Sequence, residues 1–297
     1  MKSNLQKFDL RQEMQRSDYE IARKIDTTLS IVGLHHHEFY EVDYLLSGKV
    51  TYTIESRVYP ISPGDLLIIS PKELHQVMID AKAEPYERYT LWISPALLDR
   101  LSTQETDLAS CFDTSRPNYS HLIRLQSPYR GMIQSLLDLL HQESEGSQYG
   151  ADILPDALLT TLMTLVNRLS IRRDGESSSS FSYTSPAVSD VINYISLHYA
   201  EEISLQQLAD TFYISKYHLS HEFSHYVGVS VYQYLKKKRL MISCQLLAQG
   251  KKSGDVAAAC GFCNYTSFYR AFCAEYGVSP REYVHTLQNG TQPPMLL

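Results

Sequence analysis

The chain has 297 residues, 43% of them hydrophobic and 11% aromatic, a size that suggests two domains and a composition that supports ordinary packed cores. Its formal net charge of −6 counts at first sight against a nucleic-acid ligand. Residues 1–15 hold no secretory h-region, the most apolar helical stretch (154–171) is too short and too polar to span a bilayer, and five unevenly spaced cysteines suit a reducing cytoplasm. The expectation is a cytoplasmic protein with no membrane segment.

Residues from about 29 to 93 read as strands. Tyr40 to Leu46 and Val50 to Ile54 are β-branched and aromatic, and Ser47-Gly48-Lys49 between them is a hairpin signal. Val58–Ile61, Leu66–Ile69, Val77–Ile79 and Tyr89–Ile93 continue a run of short, evenly spaced strands, which predicts a small barrel or double-sheet jelly roll. Within it, His35-His36-His37-Glu38-Phe39-Tyr40-Glu41, then Gly48, spells His-x-His-x3-Glu-x6-Gly, and Pro63-Gly64-Asp65, Pro71 and His75 follow. The pair of motifs resembles the signatures of the cupin fold, whose metal-binding members use two His, one Glu and a third His. Period 2 puts His35 and His37 on one strand face, where His75 can join them. With Glu41, the set suits a divalent transition metal such as zinc, iron, manganese or nickel. The competing use of the same wall is an organic-ligand pocket, with Trp92, the single tryptophan, stacking on a sugar ring or else filling core.

From Pro128 the period changes. Met132, Leu136, Leu137, Leu139 and Leu140 fit one helix face, and Ala157, Leu158, Leu162, Leu165, Val166 and Leu169 fit a second. The polar, glycine-containing gap from Glu143 to Gly150 predicts an antiparallel helical hairpin, serving either the barrel core or a dimer surface. Residues 174–185 are serine-rich and polar, as an interdomain linker would be.

Beyond the linker one pattern is written twice. Ser215-Lys216-Tyr217-His218-Leu219-Ser220-His221-Glu222-Phe223 leads to Gly228-Val229-Ser230, and Asn264-Tyr265-Thr266-Ser267-Phe268-Tyr269-Arg270-Ala271-Phe272 leads to Gly277-Val278-Ser279, at a constant offset of 49 residues. Each copy has a polar cap, an apolar i, i+4 pair and a glycine stop, as a capped helix with one buried stripe requires. Another short helix precedes each, Leu205–Ala209 and Val256–Cys260, so the chain reads as two helix-turn-helix units. A helix of roughly Val231 to Ala248, on the order of 25 Å long, joins them. Such a connector could set two reading helices in successive major grooves, about 34 Å apart. The charge split agrees: residues 1–185 hold 18 Lys and Arg against 25 Asp and Glu, whereas residues 186–297 hold 9 against 8, with cations clustered at Lys236-Lys237-Lys238-Arg239 and Lys251-Lys252.

These residues carry a family resemblance. Gly261 to Phe272 with Gly277-Val278-Ser279-Pro280 and Tyr283, and likewise Leu205 to Ala209 with Ser215, Leu219-Ser220, Phe223, Gly228, Tyr234-Leu235 and Arg239-Leu240, resemble the signature of the AraC/XylS family of bacterial transcription regulators over about 100 residues. The resemblance implies an α+β chain of two domains: a cupin-like β-barrel or jelly roll with an α-helical hairpin over 1–173, the linker 174–185, and an all-α double helix-turn-helix domain over 186–290. It implies base contacts from Tyr217, Ser220 and His221 on the first reading helix and from Tyr265, Thr266, Tyr269 and Arg270 on the second. Phosphate contacts would come from helix N-termini and from Lys216, Arg239 or Lys251. A ligand wall of His35, His37, Glu41, His75 and Trp92, a homodimer, RNA polymerase as a partner and an activator of carbohydrate uptake or breakdown genes belong to the same expectation. The sequence departs from the family pattern at His221, where arginine is usual, at Ser224, at Cys273-Ala274-Glu275 and at Val284, so the units are poor in cations.

Two other classes compete. A metal-dependent cupin enzyme with an appended helical domain uses the His/Glu set but leaves the duplicated pattern unexplained; the expectation is that the protein is not an enzyme. An interaction module whose helices bind other proteins would show no salt-sensitive DNA affinity. Cys260-Gly-Phe-Cys263 is spaced like a redox pair or half a zinc site, yet no second pair lies nearby.

Overall fold

The computed structural model describes residues 14–172 and 186–288, apart from 29, 56, 81–83, 117–118 and 147. The expected linker, 174–185, lies outside the described residues. Contacts divide the described residues into two compact units, one drawn from 14–33 and 38–172 and the other from 34–37 and 186–288.

The first unit is a pair of antiparallel sheets carrying helices on one side. Its strands are β1 (Tyr19–Asp26), β2 (Ile31–His35), β3 (Tyr40–Ser47), β4 (Val50–Ile54), β5 (Arg57–Ile61), β6 (Asp65–Ile69), β7 (His75–Ile79), β8 (Tyr86–Ile93) and β9 (Leu122–Arg124). They form a five-stranded sheet in the order β1-β8-β3-β6-β9 and a four-stranded sheet in the order β2-β7-β4-β5. The jelly-roll expectation holds, and the structure adds β1 and β9, which sequence patterning did not find. β1 reads Tyr-Glu-Ile-Ala-Arg-Lys-Ile-Asp; its charges hide the strand, although Asp26 turns in to an ion pair with buried Arg88 while Arg23 and Ile25 stay exposed on the face that Ile21 buries.

Period 2 splits the larger sheet. Ile21, Val42, Tyr44, Leu66, Ile68, Tyr89, Leu91 and Ile93 lie in one buried cluster with Leu97 and Leu98 of α1 (Pro95–Leu101), with Ile133, Leu137 and Leu140 of α2 (Tyr129–Glu145), and with Leu158, Leu159, Leu162, Met163 and Val166 of α3 (Leu154–Arg172). Burying roughly 1.5–3 kcal/mol per large apolar side chain, this cluster is what holds the helices on the sheet. The hairpin therefore packs as core, but not with the whole stripe read from sequence. Met132 and Leu139 stay exposed, as does Ala157, while Ile133, Leu159 and Met163 take their places inside. α2 thus has two apolar sides, and counting leucines could not say which one the sheet covers.

The second unit is all helix: α4 (Pro186–His198), α5 (Leu205–Thr211), α6 (Lys216–Val227), α7 (Val231–Ala248), α8 (Ser253–Ala259), α9 (Tyr265–Tyr276) and α10 (Pro280–Gln288). The repeated Gly-Val-Ser is a stop followed at once by a start. Gly228 and Gly277 close α6 and α9 in the left-handed region (φ 71° and 70°). Two residues on, Ser230 and Ser279 cap α7 and α10, each answered by a side chain three residues later, Gln233 or Glu282.

The offset of 49 holds for α6 and α9 but not for the helices before them. The buried pair Leu208-Ala209 of α5 corresponds to Val256-Ala257 of α8, an offset of 48. Both turns close alike, Ile214 N donating to Ala209 O and Phe262 N to Ala257 O, each at 3.0 Å. The second turn is one residue longer before its cap. Tyr213 and Gly261 occupy the same left-handed place in the two turns, at φ 55° and 76°.

Candidate functional site

α6 begins at Ser215, whose side chain accepts from His218 N, and α9 at Asn264, whose side chain accepts from Ser267 N. Each buries one stripe at i, i+4, i+8: Leu219, Phe223, Val227 and Phe268, Phe272, Tyr276. α7 braces both. Its Tyr234 ring meets Phe223 edge-on at 5.7 Å, and Leu240, Cys244 and Leu247 join the cluster of Val256, Phe268, Phe272, Tyr276 and Tyr283. With each stripe inward, the other faces project: Lys216, Tyr217, Ser220 and His221 are exposed on α6, and Tyr265, Thr266, Tyr269 and Arg270 on α9. All eight are hydrogen-bonding or charged side chains of the kinds that read groove edges and phosphates.

Arg239 is placed differently. Its Nε and Nη2 donate to Tyr199 O and Glu201 O, both at 2.7 Å, and its guanidinium lies 6.0 Å from the Phe262 ring centre. The side chain braces the segment between α4 and α5 with two of its N–H donors. Lys237 likewise pairs with Glu275 of α9, which accounts for an acidic residue where the resemblance leads one to expect a lysine. Lys251 is exposed. Cys260 is buried and Cys263 exposed, and burial pushes the Cys260 thiol up to about 11, far from a reactive thiolate.

In the first unit the second side of the larger sheet is polar. Glu41 stands opposite Trp92 and Asp43 opposite Thr90 across β3 and β8, and Lys24 stands opposite Arg88 across β1 and β8. From the smaller sheet Tyr52 reaches over and donates to Asp43 Oδ2 at 2.5 Å, and its hydroxyl lies 2.6 Å from that of Tyr86. Arg88 donates to Asp26 at 2.7 Å and stacks over the Tyr86 ring at 4.0 Å. Glu41, Asp43, Thr90 and Arg88 are all buried. Desolvation, reinforced by the Glu41 charge and opposed by Arg88, pushes the Asp43 carboxyl up to about 7. Desolvation and Arg88 hold Lys24 below the ordinary lysine range. Sequence reading missed Asp43, Tyr52, Tyr86 and Arg88, although the alternation Glu41-Val42-Asp43 put two carboxylates on the inner side of a strand.

Trp92 donates Nε1 to Glu41 at 3.1 Å, with Phe39 4.7 Å and Lys24 Nζ 4.8 Å from its ring. Among the described residues one group meets the spacing of a metal site: His37, Glu41 and His75, all buried, offer ligand atoms within 4.8 Å of one another. His35 is not in it. β2 ends at His35, so the strand period that put His35 and His37 on one face does not reach His37.

Residues 20–163 match the family described as the AraC-like ligand binding domain, and residues 208–286 match a helix-turn-helix domain. The chain is 25% identical over 229 residues to the uncharacterized HTH-type transcriptional regulator YbfI of Bacillus subtilis, covering 77% of this chain and 78% of that protein. It is 25% identical over 255 residues to the HTH-type transcriptional activator RhaS of Escherichia fergusonii, covering 84% and 86%. Among solved structures, the C-terminal domain of AraT, a response regulator from Geobacillus stearothermophilus, is similar at 28% identity and a TM-score of 0.35, over 35% of this chain and 88% of that one.

Proposed function

Since this chain belongs to the AraC family of transcription regulators, with a ligand-binding domain followed by a helix-turn-helix domain, we propose that it is a ligand-responsive, sequence-specific reader of double-stranded promoter DNA. The observation that carries this is the pair of like-built helices, α6 and α9, each capped, striped and turned outward, and each braced by α7. Tyr265, Thr266, Tyr269 and Arg270 read bases in one groove and Tyr217, Ser220 and His221 in the next, while Lys216 and Lys251 hold phosphates. Arg270→Ala should weaken operator binding about 10- to 100-fold, the worth of one bidentate guanine contact, with the loss read in a mobility-shift assay. Unchanged binding would remove the second unit from the reading.

The effector enters between the sheets. Buried Glu41, Asp43, Arg88, Tyr52 and Tyr86, with Trp92 beside them, offer acceptors, donors and an aromatic face, a combination suited to a polyhydroxylated ligand such as a sugar. The name of the relative RhaS supports activation as the direction of control. RNA polymerase is then the further partner, and the cytoplasm the place. A thermal-shift screen of sugars reads the class directly.

A second occupant of the same wall is favoured by the grouping of His37, Glu41 and His75, two imidazoles and a carboxylate that suit a divalent transition metal. Elemental analysis of untagged protein should then find metal in the wild type that is lost in His75→Ala. A metal-free sample with full effector response would sink this reading.

The exposed side of α2 points to a second copy of the chain. Met132 and Leu139 are nearly half exposed there, with Leu136 between them, an i, i+4, i+7 line that an antiparallel neighbour can cover. Leu139→Glu should raise the dimer dissociation constant about 100-fold by burying a charge at that seam, as seen by sedimentation equilibrium. Because Leu139 lies outside the core, monomer stability should move by no more than about 0.5 kcal/mol.

A further inference from the structure

α6 carries three of the chain's 11 histidines on one side. At about 100° per residue, His218, His221 and His225 fall within about 60° of one another and point opposite the buried stripe of Leu219, Phe223 and Val227. All three are exposed. The His221 and His225 rings are one turn apart, with centres 6.4 Å apart and planes inclined by only 7°. An ion bound to two imidazole nitrogens at about 2.0–2.1 Å holds the ring centres about 5–6 Å apart, so a small rotation of either exposed side chain closes the pair. Glu222 brings Oε1 to 3.9 Å from His221 Nδ1, beyond hydrogen-bond reach but close enough to add negative potential beside the ring. α9 has nothing comparable: the places of His221 and His225 are taken there by Arg270 and Ala274.

We infer that the outer side of α6 is a binding site for a divalent transition ion of the zinc, nickel or copper class, chelated by His221 and His225. Imidazole nitrogen selects these ions over magnesium and calcium, which take oxygen ligands. Two protein ligands leave the remaining positions to water, so the site exchanges metal freely with its surroundings. Its consequence for DNA rests on the function proposed above. An ion on the Nε2 atoms takes His221 out of base contact and stands where the groove floor would lie, so zinc and operator compete for one face.

The test is zinc titration of the full chain by isothermal calorimetry, with His75→Ala included to remove the barrel group. The expected result is a zinc equivalent that persists in His75→Ala and is lost in His221→Ala and in His225→Ala, with far-UV circular dichroism unchanged, as both side chains are at the surface. Zinc stoichiometry unaffected by His225→Ala overturns the site. Adding operator duplex separates the two readings. If zinc weakens operator binding about tenfold in the wild type and not in His225→Ala, the ion and the groove share α6. If the α6 equivalent binds equally well with saturating duplex present, the site stands and it is the reading of bases by α6 that fails.

Discussion

Gly261→Ala should cost about 4 kcal/mol and unfold the second reading unit while leaving the sheets of the other unit intact. Two effects add. Gly261 sits at φ +76°, where an L-residue with a β-carbon is disfavoured by about 1–2 kcal/mol. The added β-carbon would also lie 2.5 Å from Ala200 O, 2.8 Å from its carbonyl carbon and 2.9 Å from its Cα. These are backbone atoms, and they cannot step aside. Arg239 grips the carbonyls on either side, Tyr199 O and Glu201 O, and His198 Nδ1 lies 2.8 Å from Glu201 Oε1. Overpacking against so fixed a neighbour costs about 1–3 kcal/mol more. The measurement is thermal unfolding followed at two signals. Helical circular dichroism should show an early transition, because the turn at Gly261 holds Val256 and Ala257 of α8 against Phe268 and Phe272 of α9 in one buried cluster. Trp92, the single tryptophan and a β8 residue, should report an unshifted one. Tyr213→Gly, at the matching place of the first turn, is the converse: φ 55° with a side chain 96% exposed means that relief of strain should stabilise the unit by about 0.5–1 kcal/mol. A Gly261→Ala protein with an unchanged helical transition would show that the Ala200 segment is far softer than its hydrogen bonds imply.

The same residues show what was legible in the chain and what was not. The caps and stops of α6 and α9 could be read because they are local: Ser215, Asn264, Gly228 and Gly277 act on backbone groups within four residues of themselves. The outward side chains followed, since a single buried stripe fixes which side remains. Arg239 could not be placed that way. It stands in a run of cations that looks like a phosphate clamp, and only the return of the chain past α4 brings Tyr199 O and Glu201 O to it. The extra residue in the second turn was invisible for a related reason, as an alignment anchored on α6 and α9 carries no information about the helices before them. In the other unit, β4 to β7 announced themselves by alternation and by Gly48 and Pro63-Gly64. β1 did not, because only one of its eight residues, Ile21, is buried. The metal motif was half legible: Glu41 and His75 were found together with His37, whereas the inclusion of His35 assumed a strand two residues longer than β2.

Arg88→Met is the second large effect, expected to cost about 3–5 kcal/mol, the usual penalty for removing one partner of a buried ion pair. Methionine fills most of the volume, so the loss is electrostatic. Arg88 is 5% exposed, donates to Asp26 and lies over the Tyr86 ring, and its charge is what opposes the upward push of burial and Glu41 on Asp43. Without it Asp26 loses its ion pair, and Asp43 keeps Tyr52 and Thr90 as hydrogen-bond partners but has only Lys24, itself held down by burial, as a neighbouring cation. The pH dependence follows with a definite sign. Asp43 in the folded chain already binds its proton well above the unfolded carboxylate value of about 3.9, so the folded state holds more protons and stability falls as pH rises through that window. Removing Arg88 widens the window upward. The deficit of Arg88→Met should therefore be larger at pH 8 than at pH 5, in chemical denaturation followed by Trp92 emission. Adding Asp26→Asn to Arg88→Met should recover part of the loss, because the stranded charge and not the missing cation carries the cost. An apolar sandwich interior would fold without any of these groups, and more cheaply, since replacing a buried ion pair with packed hydrocarbon is often neutral or stabilising. On the function proposed above, a chain that keeps Glu41, Asp43, Arg88, Tyr52 and Tyr86 between its sheets gives up stability there for the hydrogen bonds they would offer the effector. Arg88→Met should accordingly abolish the effector response even at pH 5, where the variant is most stable. Full response in a variant that has lost the pair would place the effector elsewhere in the unit.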